Sequence, residues 1–363
     1  AFTGDVDGDG SLETVTTYED QLYIYDGQLA IQTQVALPGE GHVTMIEDVD
    51  GDGVADIGIG GGGDVRGSAY FYDGTGELLQ TFTRDVGYDG WIPPAAVVDG
   101  DKILLAGNSG YSMNPRGLYV YDFETGEEVW GYDLGQGGMG QPSLSDIDGD
   151  GNDEFVVGWA TVHNGGQANG TTDGDLYLVV IDDDGTSLVT QMYPAPSNGS
   201  VGHIFVDLDR DGTMEILGVE RHDTTYYRGM DQVHLYDTTG KTLYTYDGPN
   251  NEDWKWAVAD TDGDGKDNVI VGGLSTLVIL DEELNELASV EDDGYVELAC
   301  DLTGDGNPEI VTRNTSGLIR VYDSSLALLD SIRLTRAGTI AASDVDADGV
   351  VELLIPTTDG EIA

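Results

Sequence analysis

Asp146-Ile147-Asp148-Gly149-Asp150-Gly151-Asn152-Asp153-Glu154-Phe155-Val156-Val157-Gly158 is the stretch on which the fold turns. Carboxylates at its first, third and fifth positions converge on one point when glycine at the sixth permits a sharp turn. A backbone carbonyl at position seven and an acid at position nine can complete the six to eight oxygens that Ca²⁺ takes. The loop runs directly into an apolar segment of strand length.

The same unit recurs along the chain. Its copies are Asp5, Asp7, Asp9 with Glu13; Asp48, Asp50, Asp52 with Asp56; Asp146, Asp148, Asp150 with Glu154; and Asp207, Asp209, Asp211 with Glu215. They continue as Asp260, Asp262, Asp264 with Asn268; Asp301, Thr303, Asp305 with Glu309; and Asp344, Asp346, Asp348 with Glu352. One such loop is a plausible solvated turn, whereas seven at one structural position are up to seven Ca²⁺ sites. The copies with Asn268 and Thr303 should be the weaker ones. Between the second and third copies, Asp99-Gly100-Asp101-Lys102 has lost its ligands and should bind nothing. No helices flank the loops, and the bidentate Glu of a helix-loop-helix calcium site is missing.

Outward from each loop the pattern is all β. A second strand ends in Asp and a turn former, as in Tyr70-Phe71-Tyr72-Asp73, Leu118-Tyr119-Val120-Tyr121-Asp122 and Val233-His234-Leu235-Tyr236-Asp237. β-branched and aromatic runs closed by turn residues are strand signals, and helical periodicity is absent. Each unit offers four short strands, the content of a propeller blade, in which radial stacking buries both sheet faces. The expected fold is a single β-propeller over residues 1–363, with units starting near 1, 42, 92, 140, 200, 254, 295 and 338. Eight blades are favoured, and seven plus a partial unit is the alternative. The opening Ala1-Phe2-Thr3-Gly4 is a strand stub and the last unit stops at Gly360-Glu361-Ile362-Ala363, so the native chain is expected to continue. An unfinished last blade would also offer an edge for self-assembly by strand addition.

These residues resemble the FG-GAP or VCBS-type repeats of integrin α-subunit propellers and many microbial surface proteins. The resemblance implies that the calcium loop joins the first two strands of a blade as a structural clip. Glu124-Thr125-Gly126-Glu127-Glu128-Val129-Trp130 looks instead like a quinoprotein-type repeat, but only once.

Composition sets the partners. With 14 Lys plus Arg against 69 Asp plus Glu, the formal charge is −55. Self-repulsion on that scale opposes compaction unless it is screened. The loops use 26 of the acids, and seven bound Ca²⁺ would bring the charge only to −41. The remainder is a solvated acidic surface of the kind carried by salt-adapted, haloarchaeal-type proteins. A polyanion is a poor partner for nucleic acid, and no apolar run approaches the length of a membrane-spanning helix. The single Cys300 excludes an internal disulfide and is read as a small buried residue. Sequons at Asn169, Asn198 and Asn314 add to an extracellular or cell-surface reading.

The loops between second and third strands should open on the face opposite the calcium loops, and they are long only in units two to five. There they carry Arg66, Tyr111, Arg116, His163, Arg221, His222, Tyr226, Tyr227 and Arg228. Arg forks suit carboxylates and aromatic faces suit sugar rings, so the expected ligand is an acidic glycan or an acidic surface protein. No nucleophile, phosphate-loop or zinc-hydrolase motif occurs. The first expectation is a non-catalytic adhesion, surface- or filament-assembly or glycan-binding module. The alternative is a polysaccharide lyase: rhamnogalacturonan lyases look like eight-bladed propellers with similar calcium loops. His163, His222 or Tyr227 would be its general base.

Overall fold

The strands alternate their side chains between two buried surfaces. In the computed structural model, Leu118 and Val120 pack towards the following sheet while Tyr119 and Tyr121 pack towards the preceding one. Val269 and Val271 face one way and Ile270 the other. A period of two with both faces apolar is what a sheet stacked between two sheets requires.

The structure describes residues 2–109, 114–138, 142–193, 199–221, 230–250, 254–334, 340–344 and 351–355. Seven four-stranded antiparallel meanders follow one another, with leading strands Phe2–Gly4, Gly41–Glu47, Pro94–Val98, Ser143–Ser145, Ser200–Val206, Lys255–Ala259 and Tyr295–Cys300. We number these sheets as blades 1 to 7. Two further strands, Ala341–Ser343 and Glu352–Leu354, begin blade 8. This is the all-β propeller expected from the repeat. Each of seven apolar clusters lies between one blade and the next, from the blade 1/2 seam to the blade 7/8 seam. The core is therefore a series of seams, each buried by two sheets.

Within a blade the second and third strands are buried and the fourth is exposed. Glu286–Glu291 alternates between exposed and half-buried, whereas Asn268–Gly272 of the same sheet is wholly buried. The leading strand is the inner one and the fourth forms the rim. The Asp that ends each third strand caps the turn to the rim strand. Asp73 Oδ1 accepts the N–H groups of Thr75 and Glu77 at 3.0 and 2.7 Å, and Asp237 Oδ1 accepts those of Thr239 and Lys241, both at 3.0 Å. This is the Asx turn, in which a short side chain mimics the backbone.

Blade 5 is extended inwards. Gly137–Gly138 pairs with Trp159–Ala160, which pairs with Ser200 and Val201 of the blade 5 leading strand. The long excursion of blade 4 is thereby tied to two neighbouring units.

Several of the scarce cations sit at the seams. Arg84 of blade 2 pairs with Glu128 of blade 3. Arg210 of blade 5 binds Asp267 of blade 6 at 2.6 Å, and Lys255 of blade 6 reaches Glu297 of blade 7 at 3.3 Å. Placing positive charge where two anionic sheets meet lowers repulsion where it is largest. Among the described residues no helix is long and apolar enough to cross a membrane.

Candidate metal centres and ligand face

In an antiparallel meander, the connections between strands one and two and between three and four lie at one end of the blade. The Asp-rich loops therefore share a face with the capped Asx turns. Their sixth residue is glycine with φ near 90°, as in Gly10 and Gly212 (φ 90° each) and Gly151 (φ 99°). An L side chain rarely adopts that conformation, so the spacing needs glycine there. In blade 5 the fourth residue is Arg210, held at φ 54° where five of the other loops have glycine.

The backbone folds each loop around its first carboxylate. Asp146 accepts the N–H groups of Gly149 and Gly151 at 2.7 and 3.1 Å, and Asp5, Asp48, Asp260 and Asp301 do the same in their loops. The acid at position nine reaches back from the second strand and accepts the N–H of loop position two. Glu13, Asp56, Glu154, Glu215 and Glu309 bond Val6, Val49, Ile147, Leu208 and Leu302 in this way, at 2.7 to 3.2 Å.

Carboxylate oxygens then converge within 4.8 Å of one another in five groups: Asp5, Asp7, Glu13; Asp48, Asp50, Asp56; Asp146, Asp148, Glu154; Asp207, Asp209, Glu215; and Asp260, Asp262, Asp264. In the first four the position-five acids Asp9, Asp52, Asp150 and Asp211 stand outside the tight group. Each instead accepts an N–H two residues on, from Ser11, Val54, Asn152 and Thr213. In blade 6, Asn268 makes the same reach-back contact: its Oδ1 takes the N–H and hydroxyl of Thr261 at 2.8 and 2.6 Å.

Blade 7 brings Thr303 and Glu309 together, with Thr303 N–H on Glu309 Oε2 at 3.0 Å and its hydroxyl 3.4 Å from Oε1. Asp301 and Asp305 cap the same loop. Of the last loop, Asp344 and Glu352 are described, while Asp346 and Asp348 lie outside the described residues.

These groups fit a divalent cation. Glu154 is fully buried, and its Oε1 has no hydrogen-bond partner, which leaves one anionic oxygen that a metal would satisfy. Burial, with the loop aspartates adding to it, pushes the carboxyls of Asp56, Glu154 and Glu215 each up to about 7. Without metal, such raised groups contribute stability below the ordinary carboxylate range that is lost as pH rises through 7. A cation bound at neutral pH reverses that deficit.

Blade 3 carries its own positive charge. Its strands Pro94–Val98 and Lys102–Gly107 are joined by a tight turn with Asp99 and Gly100 at φ 50° and 77°. Lys102 Nζ lies 2.6 Å from Asp99 Oδ2.

The opposite face holds the second loops. Arg116 is only 2 % exposed. Its Nε donates to Ser109 O at 2.9 Å, Nη1 to Gly135 O, and Nη2 to Asn164 Oδ1 at 3.1 Å, with Asp173 at 3.8 Å. A Cβ on Gly166 would fall 2.3 Å from Nη1, so glycine there admits the guanidinium. Arg116 is a clamp between blades 3 and 4, not the open cation expected from sequence, because four neighbouring groups draw it inwards. One edge still lines a cavity of about 440 Å³ with Asn114, Asp133, Leu134, Gln167 and Ala168. Sequence reasoning missed Asn114, Asp133 and Gln167, for which no motif exists. The one available signal was that Gln167 follows the Gly165-Gly166 pair in the longest second loop.

Arg66 is half-buried and caps its own turn through Gly63 O at 2.6 Å. His163 is exposed at φ 56°. Arg221 ends a blade 5 strand, but nothing is described of its side chain; Tyr111, Asn198, His222, Tyr226, Tyr227 and Arg228 lie outside the described residues. Asn169 is exposed at a hairpin tip. The Asn314 sequon is corrected: the residue is 9 % exposed. Its Oδ1 caps Ser316 and Leu318 while Nδ2 binds Asp293 at 2.9 Å. Asn314 is the Asx residue of a turn, so its amide is occupied. Cys300, read as buried, is half-buried.

Below the face, the blade 4/5 seam holds a buried polar cluster. Tyr193 O–H donates to His203 Nε2 at 2.8 Å, and His203 Nδ1 to Val157 O at 3.0 Å. His234 faces Glu220 at 3.3 Å. Burial pulls His203 down to about 4. A histidine kept neutral in the fold contributes stability that is present above its unfolded value near 6.5 and lost as pH falls towards 4. With saturating divalent cation, wild type should lose up to about 3 kcal/mol more than His203→Gln between pH 7 and 4, read from denaturant melts. Parallel pH profiles would overturn this.

Comparison with known proteins agrees with this architecture. Residues 146–218 match the FG-GAP-like repeat family. Rhamnogalacturonan exolyase YesX of Bacillus subtilis (strain 168) is 25% identical over 73% of this chain and 55% of that protein. The chain thus spans about half the length of that curated relative. The crystal structure of exotype rhamnogalacturonan lyase YesX superposes with a TM-score of 0.64 at 19% identity, covering 99% of this chain and 70% of that one. The V. cholerae biofilm matrix protein Bap1 gives 0.61 at 12% identity, covering 97% and 83%. A europium-containing methanol dehydrogenase gives 0.68 at 14%, covering 98% and 84%. Structures so different in what they do share the fold alone. The chain is an all-β propeller that carries an FG-GAP-like repeat at residues 146–218.

Proposed function

We propose that the chain is an extracellular, calcium-clipped propeller that binds an acidic polysaccharide on the face opposite its metal loops. The observation that carries this reading is the polar cavity between blades 3 and 4, lined by Arg116, Asn114, Asp133 and Gln167. Its volume lies in the range of small-ligand sites. A guanidinium edge beside amide groups suits a sugar carboxylate and its neighbouring hydroxyls. The metal is calcium, because the groups are all carboxylate oxygen at a spacing that suits it; Asp5, Asp7, Glu13 and their counterparts would hold it as a structural clip. The uncompensated acidic surface suits a saline exterior, where the Debye length falls to about 3 Å at molar salt.

Cleavage by β-elimination is the second reading, favoured by the likeness to the rhamnogalacturonan exolyase. His163, exposed beside the cavity-lining residues 165–168, is the described histidine placed to act as base on that face.

Calorimetric titration of rhamnogalacturonan oligosaccharides, in which uronate and rhamnose alternate, tests both. Saturable heat with no rise in ultraviolet absorbance from unsaturated uronate is expected. Absence of binding would refute the first reading. An absorbance rise that disappears in His163→Ala would replace it with the second.

A further inference from the structure

Tyr88 is 70 % exposed, the highest value among the large apolar side chains described. The other exposed ones are mostly single residues of rim strands, such as Leu78, Leu188 and Leu287, and need no explanation. Tyr88 instead sits on the connection from blade 2 to blade 3, on the face that carries the cavity, and its backbone is fixed from several sides.

Gly90 N–H closes a turn on Gly87 O at 3.0 Å, and Gly87 N–H donates to Asn114 O at 2.9 Å. Asn114 Nδ2 donates in return to Asp85 O at 3.2 Å, and Arg84 N–H binds Gly67 O at 2.9 Å. A Cβ on Gly90 would meet Asn114 O at 2.4 Å, so the turn lies directly on that residue. The next residue, Asp89, takes the Ser109 hydroxyl at 3.3 Å, and Ser109 O takes Arg116 Nε at 2.9 Å. Asn114 and Arg116 both line the cavity. Tyr88 is thus displayed to solvent on a turn that the cavity wall itself holds in place.

An exposed ring on a rigid turn loses little conformational freedom on contact, since only two side-chain torsions remain. Its apolar face and polar tip fit the C–H face and hydroxyl edge of a pyranose. We propose that Tyr88 is the stacking platform of this cavity: it takes the C–H face of one sugar ring while the ring's polar substituents reach Asn114 and Gln167. The proposal rests on the glycan-binding reading above and adds which sugar face is read and by which residue.

The test is calorimetric titration of the full chain, in millimolar calcium, with the same oligosaccharides, using Tyr88→Ala and Tyr88→Trp beside wild type. Tyr88→Ala should weaken binding about fivefold, the size of one aromatic contact. Tyr88→Trp should bind as well as wild type or better. Neither should shift the melting temperature, because the side chain is exposed. If wild type binds and Tyr88→Ala binds equally, or if both variants lose binding alike, the platform is wrong and the glycan site stands. If wild type binds nothing, the glycan reading fails and the platform with it.

Discussion

Adding EGTA in molar salt should lower the melting temperature by about 20 °C. A ligand held only by the folded state at a hundred times its dissociation constant contributes about 2.7 kcal/mol per site. Five carboxylate groups are arranged to hold an ion, so together they reach about 13 kcal/mol, the whole stability of an ordinary domain. Part of that affinity comes from the buried oxygens of Glu154, Asp56 and Glu215, which lose their counter-charge when the ion leaves. Scanning calorimetry with and without chelator, at fixed ionic strength, measures it. A curve that ignores EGTA would remove the metal assignment from all five loops together.

Gly74→Ala should destabilise by more than about 2 kcal/mol and weaken ion binding in the first loop. Gly74 lies in the Asx turn of blade 2, and a Cβ there would fall 1.7 Å from Val6 O. Val6 is the second residue of the blade 1 loop, and its N–H is the donor to Glu13. Ala55 N–H also binds Asp5 O at 3.2 Å across the same seam. Displacing Val6 to admit a methyl group therefore moves the backbone that positions Asp5, Asp7 and Glu13. Gly76→Ala is a poor control, since Gly76 has φ 88°. Thr238→Ala in the corresponding turn of blade 5 is a better one and should be near neutral. Equal melting temperatures for Gly74→Ala and wild type would show that the seam is looser than it is drawn.

The repeat was legible because metal ligation imposes a spacing on the chain and stacking imposes an apolar period of two. Both are local, and both survive in a string such as Asp207 to Glu215 followed by Ile216 and Leu217. Arg116 was misread because its burial is decided by Gly135, Asn164, Gly166 and Asp173, which arrive from the next blade. An arginine in a long polar loop of an anionic protein looks available until its distant partners are known. Asn314 illustrates a clash of signals. Asn-Thr-Ser-Gly reads equally as a sequon and as an Asx turn between the second and third strands of blade 7, and the turn takes the amide. The position-nine acids are marked in the sequence by their place in the repeat. What sequence alone did not supply is that they join the group by reaching back onto the second residue of the loop.

Lys102 gives the ring one joint that dissolved metal does not govern. Its ammonium is tethered to the very turn it neutralises, so its effective concentration at Asp99 is fixed by a short chain segment and never by the surroundings. Five described units hold carboxylate groups that would draw a counter-ion from the medium, while blade 3, which carries the Arg116 clamp, supplies its own. The charge balance of blade 3 would thereby stay the same when the ionic supply of its neighbours changes.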